Sequence, residues 1–185
     1  MSLLDLKVTA FAIFRDTVED LRSGGVLREV VHEHRLHRHR IDGTLVINTT
    51  LQHQEDLCAL IQNASYIGGE RDAAASELYD LLDGVRNTMK LPDPSTNSDH
   101  AYPISSWSPG TTINALKVFD SFDVGRFRQY LADEWVEFRD ESPIYLAFGD
   151  NIETVLDSLT AWYELIRSAV NSDGGVAIDV RSESE

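Results

Sequence analysis

The chain has 185 residues, a length typical of one domain that can bury a hydrophobic core without disulfides or metals. It carries 31 acidic and 16 basic residues, and its net charge of -15 argues against non-specific nucleic-acid binding, which requires a basic surface. Only Lys7, Lys90 and Lys117 are lysines. Acid excess with few lysines is typical of proteins from salt-accumulating archaea, because carboxylates keep a surface hydrated when salt screens other charges. We therefore expect a protein of a high-salt cytoplasm or of a virion.

Several classes of protein are not expected. Cys58 is the only cysteine, which excludes an internal disulfide and a cysteine-based metal site. The first five residues lack the basic stretch and apolar core of a signal peptide, and no apolar run is long enough to span a bilayer. The phosphate-binding glycine patterns and the G-x-S-x-G pattern are missing, so no cofactor and no serine nucleophile are predicted.

Hydrophobic spacing predicts the first group of elements. A helix over residues 3–22 is followed by a long β-hairpin over 27–50, which turns at Asp42-Gly43, and by helices over 52–66 and 70–90. Residues 92–111 contain four of the five prolines and are interpreted as a linker.

A second group of elements follows the linker. The predicted order is a strand over 113–119, a helix over 124–138, a strand over 144–148, a helix over 151–170 and a strand over 176–180. Residues 181–185 are interpreted as an acidic tail. The predicted class is α+β, with helices packed on a small mixed sheet. Lobes 1–91 and 112–180 are expected to form one compact domain.

The outgoing strand of the hairpin, Glu29–Ile41, has no clean apolar face. It is also a basic island in an acidic chain. Because its own core offers it little, we expect it to bind an acidic surface, either of a second copy in a head-to-tail contact or of its own chain. The predicted partner-binding residues are Arg28, Arg35, Leu36, Arg38 and Arg40.

Four histidines of this segment suggest a metal site. His32 and His34 alternate along the strand, as do His37 and His39, so each pair shares one face. A third ligand would have to come from elsewhere, such as His53, Glu55 or His100, and interleaved arginines repel a divalent cation. A polar arm without metal is therefore the favoured interpretation.

Asp120 and Asp150 each follow a predicted strand. At the carboxyl ends of parallel strands they could bind magnesium or act as acid and base. Helix capping is the favoured interpretation, because both precede a predicted helix. His53, at the start of a helix, is a further candidate general base.

Three functions are therefore considered. The leading one is a non-enzymatic assembly subunit that forms homo-oligomers or binds other protein subunits. A helix followed by a long hairpin and further helices resembles tail-terminator folds, which implies a ring-forming neck or tail protein of a haloarchaeal tailed virus. The alternatives are a metal-dependent enzyme, which uses the histidine cluster or the Asp120–Asp150 pair, and a cytoplasmic adaptor or regulatory domain.

Overall fold

The computed structural model describes residues 6–23, 40–66, 72–88, 105–141, 148 and 151–182. Within these ranges the chain forms four strands and six helices, and the predicted α+β class is confirmed. The strands are β1 (Leu6–Ile13), β2 (Val46–Thr50), β3 (Ser105–Trp107) and β4 (Gly175–Ser182). The helices are α1 (Arg15–Ser23), α2 (Leu51–Ala64), α3 (Ala73–Thr88), α4 (Pro109–Ser121), α5 (Val124–Glu141) and α6 (Ile152–Asn171).

The strands form one sheet in the order β2-β1-β4-β3, and every neighbouring pair is antiparallel. β1 and β4 pair along their whole lengths, from Leu6 opposite Ser182 to Ile13 opposite Gly175. The sheet thus combines strands from both predicted lobes. It is not the mixed sheet expected from the sequence, because the segment assigned to a crossover strand is a helix. The last predicted strand is confirmed, although it includes the first two residues assigned to the tail.

The two faces of the sheet are covered differently. On one face, Leu6, Val8, Ala10 and Ala12 of β1 join the main hydrophobic core with residues of α2 to α6. On the other face, a smaller cluster forms beneath α1, and its buried residues are Phe11, Ile13, Val18 and Ala177. The second half of β1 is therefore apolar on both sides, because both of its faces are covered.

This double coverage explains why the helix predicted over residues 3–22 is wrong. The segment divides into β1 and α1, separated by Phe14. Apolar residues on both faces of a central strand form a nearly continuous run, and such a run also satisfies helical spacing. Periodicity alone could not separate the two. The described part of the chain therefore starts with a strand, so the helix that came first in the likeness to tail-terminator folds is not observed there.

The strand predicted over residues 113–119 is also wrong, because these residues lie in α4. Ser108 caps this helix: its side chain accepts a hydrogen bond from the Thr111 backbone N–H at 3.1 Å, and Pro109 occupies the first turn. The β-branched residues of this segment favoured a strand, and the N-cap residue Ser108 lay in the stretch that was interpreted as a linker. That linker also contains β3.

The Asp42-Gly43 turn forms, with Gly43 at a φ of 77°, but it does not close a hairpin. Arg40 makes an antiparallel bridge to Ile13, and β2 pairs antiparallel with the same strand. The chain therefore runs in one direction on both sides of the turn, which is a loop protruding from the sheet edge. The predicted outgoing strand before Arg40 lies outside the described residues, as does most of the strand predicted over 144–148.

The join between β4 and its neighbours requires glycine. A Cβ atom on Gly175 would collide with the carbonyl oxygen of Trp107 and lie 2.6 Å from Cγ2 of Val18. The backbone oxygen cannot move without breaking the sheet. A Cβ on Gly110 in α4 would meet only Ser108 Oγ, at 3.9 Å. Glycine is thus needed at the first of these positions but not at the second.

We expect Gly175→Ala to lower the free energy of unfolding by about 1–3 kcal/mol, the usual cost of overpacking. Gly110→Ala serves as the matched control and should be neutral or stabilising by up to about 1 kcal/mol, because alanine favours a helix. Denaturant unfolding of both variants in the same salt measures the difference. Equal stability of the two variants would contradict this account of the β4 join.

Candidate functional site

An open groove of about 820 Å³ runs along strand β2. All five residues of β2 line it, together with the preceding Leu45. Its opposite wall is one face of α6, where Thr154, Asp157, Ser158 and Ala161 recur at helical spacing. Among the described residues β2 pairs with β1 alone, so it is an edge strand of the sheet. The groove is therefore bounded by a sheet edge and a helix.

The floor of the groove is fixed by Trp162, which is 1% exposed. Its ring stacks on Trp107 at a centroid distance of 6.0 Å, and its indole N–H donates to Oε1 of Gln54 at 3.1 Å. That bond sets the orientation of the Gln54 amide, because an indole N–H can only donate. In the part of the chain that the structure describes, the buried Nε2 of Gln54 has no hydrogen-bond partner. The Gln54 amide is thus held in place beneath the surface of the groove.

His53 joins the two walls of the groove. Its Nε2 lies 2.9 Å from Oγ of Ser158, and its backbone N–H donates to the side chain of Thr50, which caps α2. Ser158 Oγ also lies 2.9 Å from the carbonyl oxygen of Thr154, and the tautomer of His53 decides which atom donates in the His53–Ser158 pair. In either case the pair forms a contact between α2 and α6.

The charges that border the groove are not balanced. Lys7 and Asp157 both line it and both are exposed. Lys7 already has an interaction partner, whereas the carboxylate of Asp157 has no hydrogen bond or ion pair within the described ranges. The neighbouring Glu153 is paired with Arg128 at 2.7 Å. Asp157 thus brings to the groove a carboxylate without an ionic partner among the described residues.

Most of the site residues predicted from sequence lie outside the described residues. This applies to Arg28, Arg35, Leu36 and Arg38 of the partner-binding set, to His32, His34, His37 and His39, and to Asp150. Arg40 is described, and its guanidinium donates to the carbonyl of Thr44 across the protruding loop. Its predicted contact with a partner stays a prediction.

Asp120 does not follow a strand and does not cap a helix. It lies in the last turn of α4, where its Oδ1 accepts a hydrogen bond from the Tyr163 hydroxyl at 3.2 Å. The cap of α5 is Asp123, which accepts from the Arg126 backbone N–H, and the cap of α6 is Asn151. The capping prediction for Asp120 is therefore wrong. In the described ranges no three His, Cys, Asp or Glu side chains are grouped as metal ligands.

One buried carboxylate lies on α2 beside the groove residues. Asp56 is 2% exposed, and burial raises its pKa from 3.8 to about 6. A hydrogen bond from Gln52 Nε2, at 2.8 Å, lowers the pKa, and the charge of Glu55 raises it. Burial dominates these effects, so the charged form of Asp56 destabilises the folded chain at neutral pH.

Because its folded pKa exceeds the unfolded value, Asp56 binds its proton more tightly in the folded state. Its cost to stability is complete above pH 6 and disappears as the pH falls towards 4. We expect Asp56→Asn to raise the free energy of unfolding by up to about 3 kcal/mol at pH 7.5 and by almost nothing at pH 4. Asp80→Asn, at an exposed position, is the control: in urea unfolding at matched salt, its effect on the free energy of unfolding should not depend on pH. If Asp56→Asn raised the free energy of unfolding equally at both pH values, the raised pKa assigned to Asp56 would be contradicted.

No family model, curated protein or solved structure matches this chain. No described helix is long and apolar enough to cross a lipid bilayer. Function must therefore be argued from the groove itself. Sequence reasoning missed Gln54, Asp157 and Ser158, because they form a site only once β2 lies at the sheet edge.

Proposed function

We propose that this chain is a non-enzymatic assembly subunit that binds a neighbouring protein subunit along strand β2. The observation that carries the proposal is the groove between this edge strand and α6. An edge strand presents a row of backbone donors and acceptors that an incoming extended segment can satisfy. Side chains of that segment would then contact α6.

The shape of the groove favours an extended polypeptide over a small molecule. Small-molecule sites enclose most of their ligand. This groove is open along the five residues of β2, a length of roughly 16 Å. Leu45 and Val46 at one end of the groove supply apolar surface. An added strand fills such a space and continues the sheet.

The surface supports a high-salt setting for this assembly. Acidic side chains are exposed on five of the six described helices, including Glu77, Asp80, Asp133 and Asp157. Subunits of this charge repel each other at low salt and approach once the charges are screened. Our concrete version is a ring-forming neck or tail protein of a haloarchaeal tailed virus. It is supported only by the acidity and by the interaction groove.

We expect the unfolding free energy to increase between about 0.2 M and 2 M potassium chloride, because the Debye length shrinks from roughly 7 to 2 Å. Chemical unfolding at constant pH measures the change. The same measurement on a mesophilic acidic protein of similar size provides the reference. A decrease in stability over this range would remove the high-salt setting.

The interface is tested by adding a charge to the groove rim. Leu45 is 43% exposed and lines the groove, whereas Ile113 is 42% exposed on α4 and does not line it. In about 2 M potassium chloride, we expect the wild type and Ile113→Glu to be oligomers and Leu45→Glu to be a monomer. Light scattering after size-exclusion chromatography gives the masses.

Both substitutions replace an exposed side chain, so each should change the free energy of unfolding by less than about 1 kcal/mol. A wild-type protein that is strictly monomeric in molar salt would disprove the proposed assembly. Equal masses for the two variants would show that the groove is not the interface.

A further inference from the structure

We infer that the segment bound in the groove is the basic arm, residues 28–39, of a second copy of this chain. This inference rests on the proposed function and names the partner. The arm of one copy would add to β2 of the next copy as a fifth strand. The receiving groove and the donated arm are different surfaces, so the contact is head-to-tail and repeats from copy to copy.

The arm has the composition that such a contact requires. It contains Arg28, Arg35 and Arg38 against Glu29 and Glu33, for a net charge of +1, so the other 173 residues carry -16. Alternate residues of an extended segment point to opposite sides. Hence Arg35 and His37 share one side, while Leu36 and Arg38 share the other. An added strand would present one of these sides to α6.

The groove offers a complementary group. Asp157, on the α6 wall, is exposed and has no ionic partner in the described part of the chain, which makes it a receptor for an arginine. The Nε2 of Gln54 is fully buried, so an added strand would not reach it, and this amide only helps to hold the floor of the groove. Lys7, which also lines the groove, has an interaction of its own.

The geometry of the sheet edge favours a second copy over the chain's own arm. A tight hairpin at Asp42-Gly43 would place the preceding residues beside β2. Arg40 instead bridges Ile13 of β1, in line with β2 and on the same edge. That turn therefore does not pair with β2, and among the described residues no other strand lies on the outer edge of β2.

A complementation experiment tests the inference with full-length chains. The groove variant is Leu45→Glu, and the arm variant combines Arg35→Glu with Arg38→Glu. Each should be monomeric alone in about 2 M potassium chloride. Mixed in equal amounts, they should form a dimer of twice the monomer mass of 20.8 kDa. The mixture stops at two copies, because one intact arm and one intact groove make a single contact.

The control combines Lys117→Glu with Arg167→Glu, two exposed cations that do not line the groove. It should keep the wild-type mass, and circular dichroism should show that every variant is folded. An arm variant that stays oligomeric while Leu45→Glu is monomeric would overturn the arm as occupant and leave the proposed assembly intact. Two monomeric variants that fail to form a dimer would also overturn it. A monomeric wild type would defeat the proposed function itself.

Discussion

The pairing of β1 with β4 is the constraint on which the rest of the structure depends. It is the longest ladder in the sheet, with eight residue pairs, and it occupies one side of β1 completely. Only the other side remains for β2, which thereby lies at the edge. The helix before β4, α6, is carried across this edge strand and forms the second wall of the groove. The candidate site is thus a consequence of where β4 inserts.

The groove is built to stay open. Trp162 is held by stacking on Trp107 and by its hydrogen bond to Gln54, so the floor cannot collapse onto β2 without losing both contacts. His53 spans the walls through Ser158. Such pre-organisation lowers the entropy lost when a flexible segment binds. A groove held in this way would therefore bind a segment at a lower entropic cost than one that had to open first.

The sequence predicted the helices with a single apolar face well. Residues 151–170 and 124–138 closely match α6 and α5, because each has one stripe of buried residues and polar residues elsewhere. It failed where both faces of an element are covered, as in β1, and where β-branched residues occupy a helix, as in α4. The acidic character of the surface was also evident. The groove was not, because strand order depends on a contact between residues 6–13 and 175–182 that no local pattern encodes.

That long separation between β1 and β4 also affects how the chain folds. Leu6 and Ser182 are 176 positions apart, and contacts of high sequence separation form late and slow folding. During synthesis on a ribosome, β1 cannot complete this pairing until residue 182 has emerged. Until then, the backbone groups along one edge of β1 lack their native hydrogen-bonding partners. Strands that wait in this way are prone to pair with other nascent chains. The acidic composition of the chain opposes such pairing at low ionic strength, whereas salt screens this repulsion.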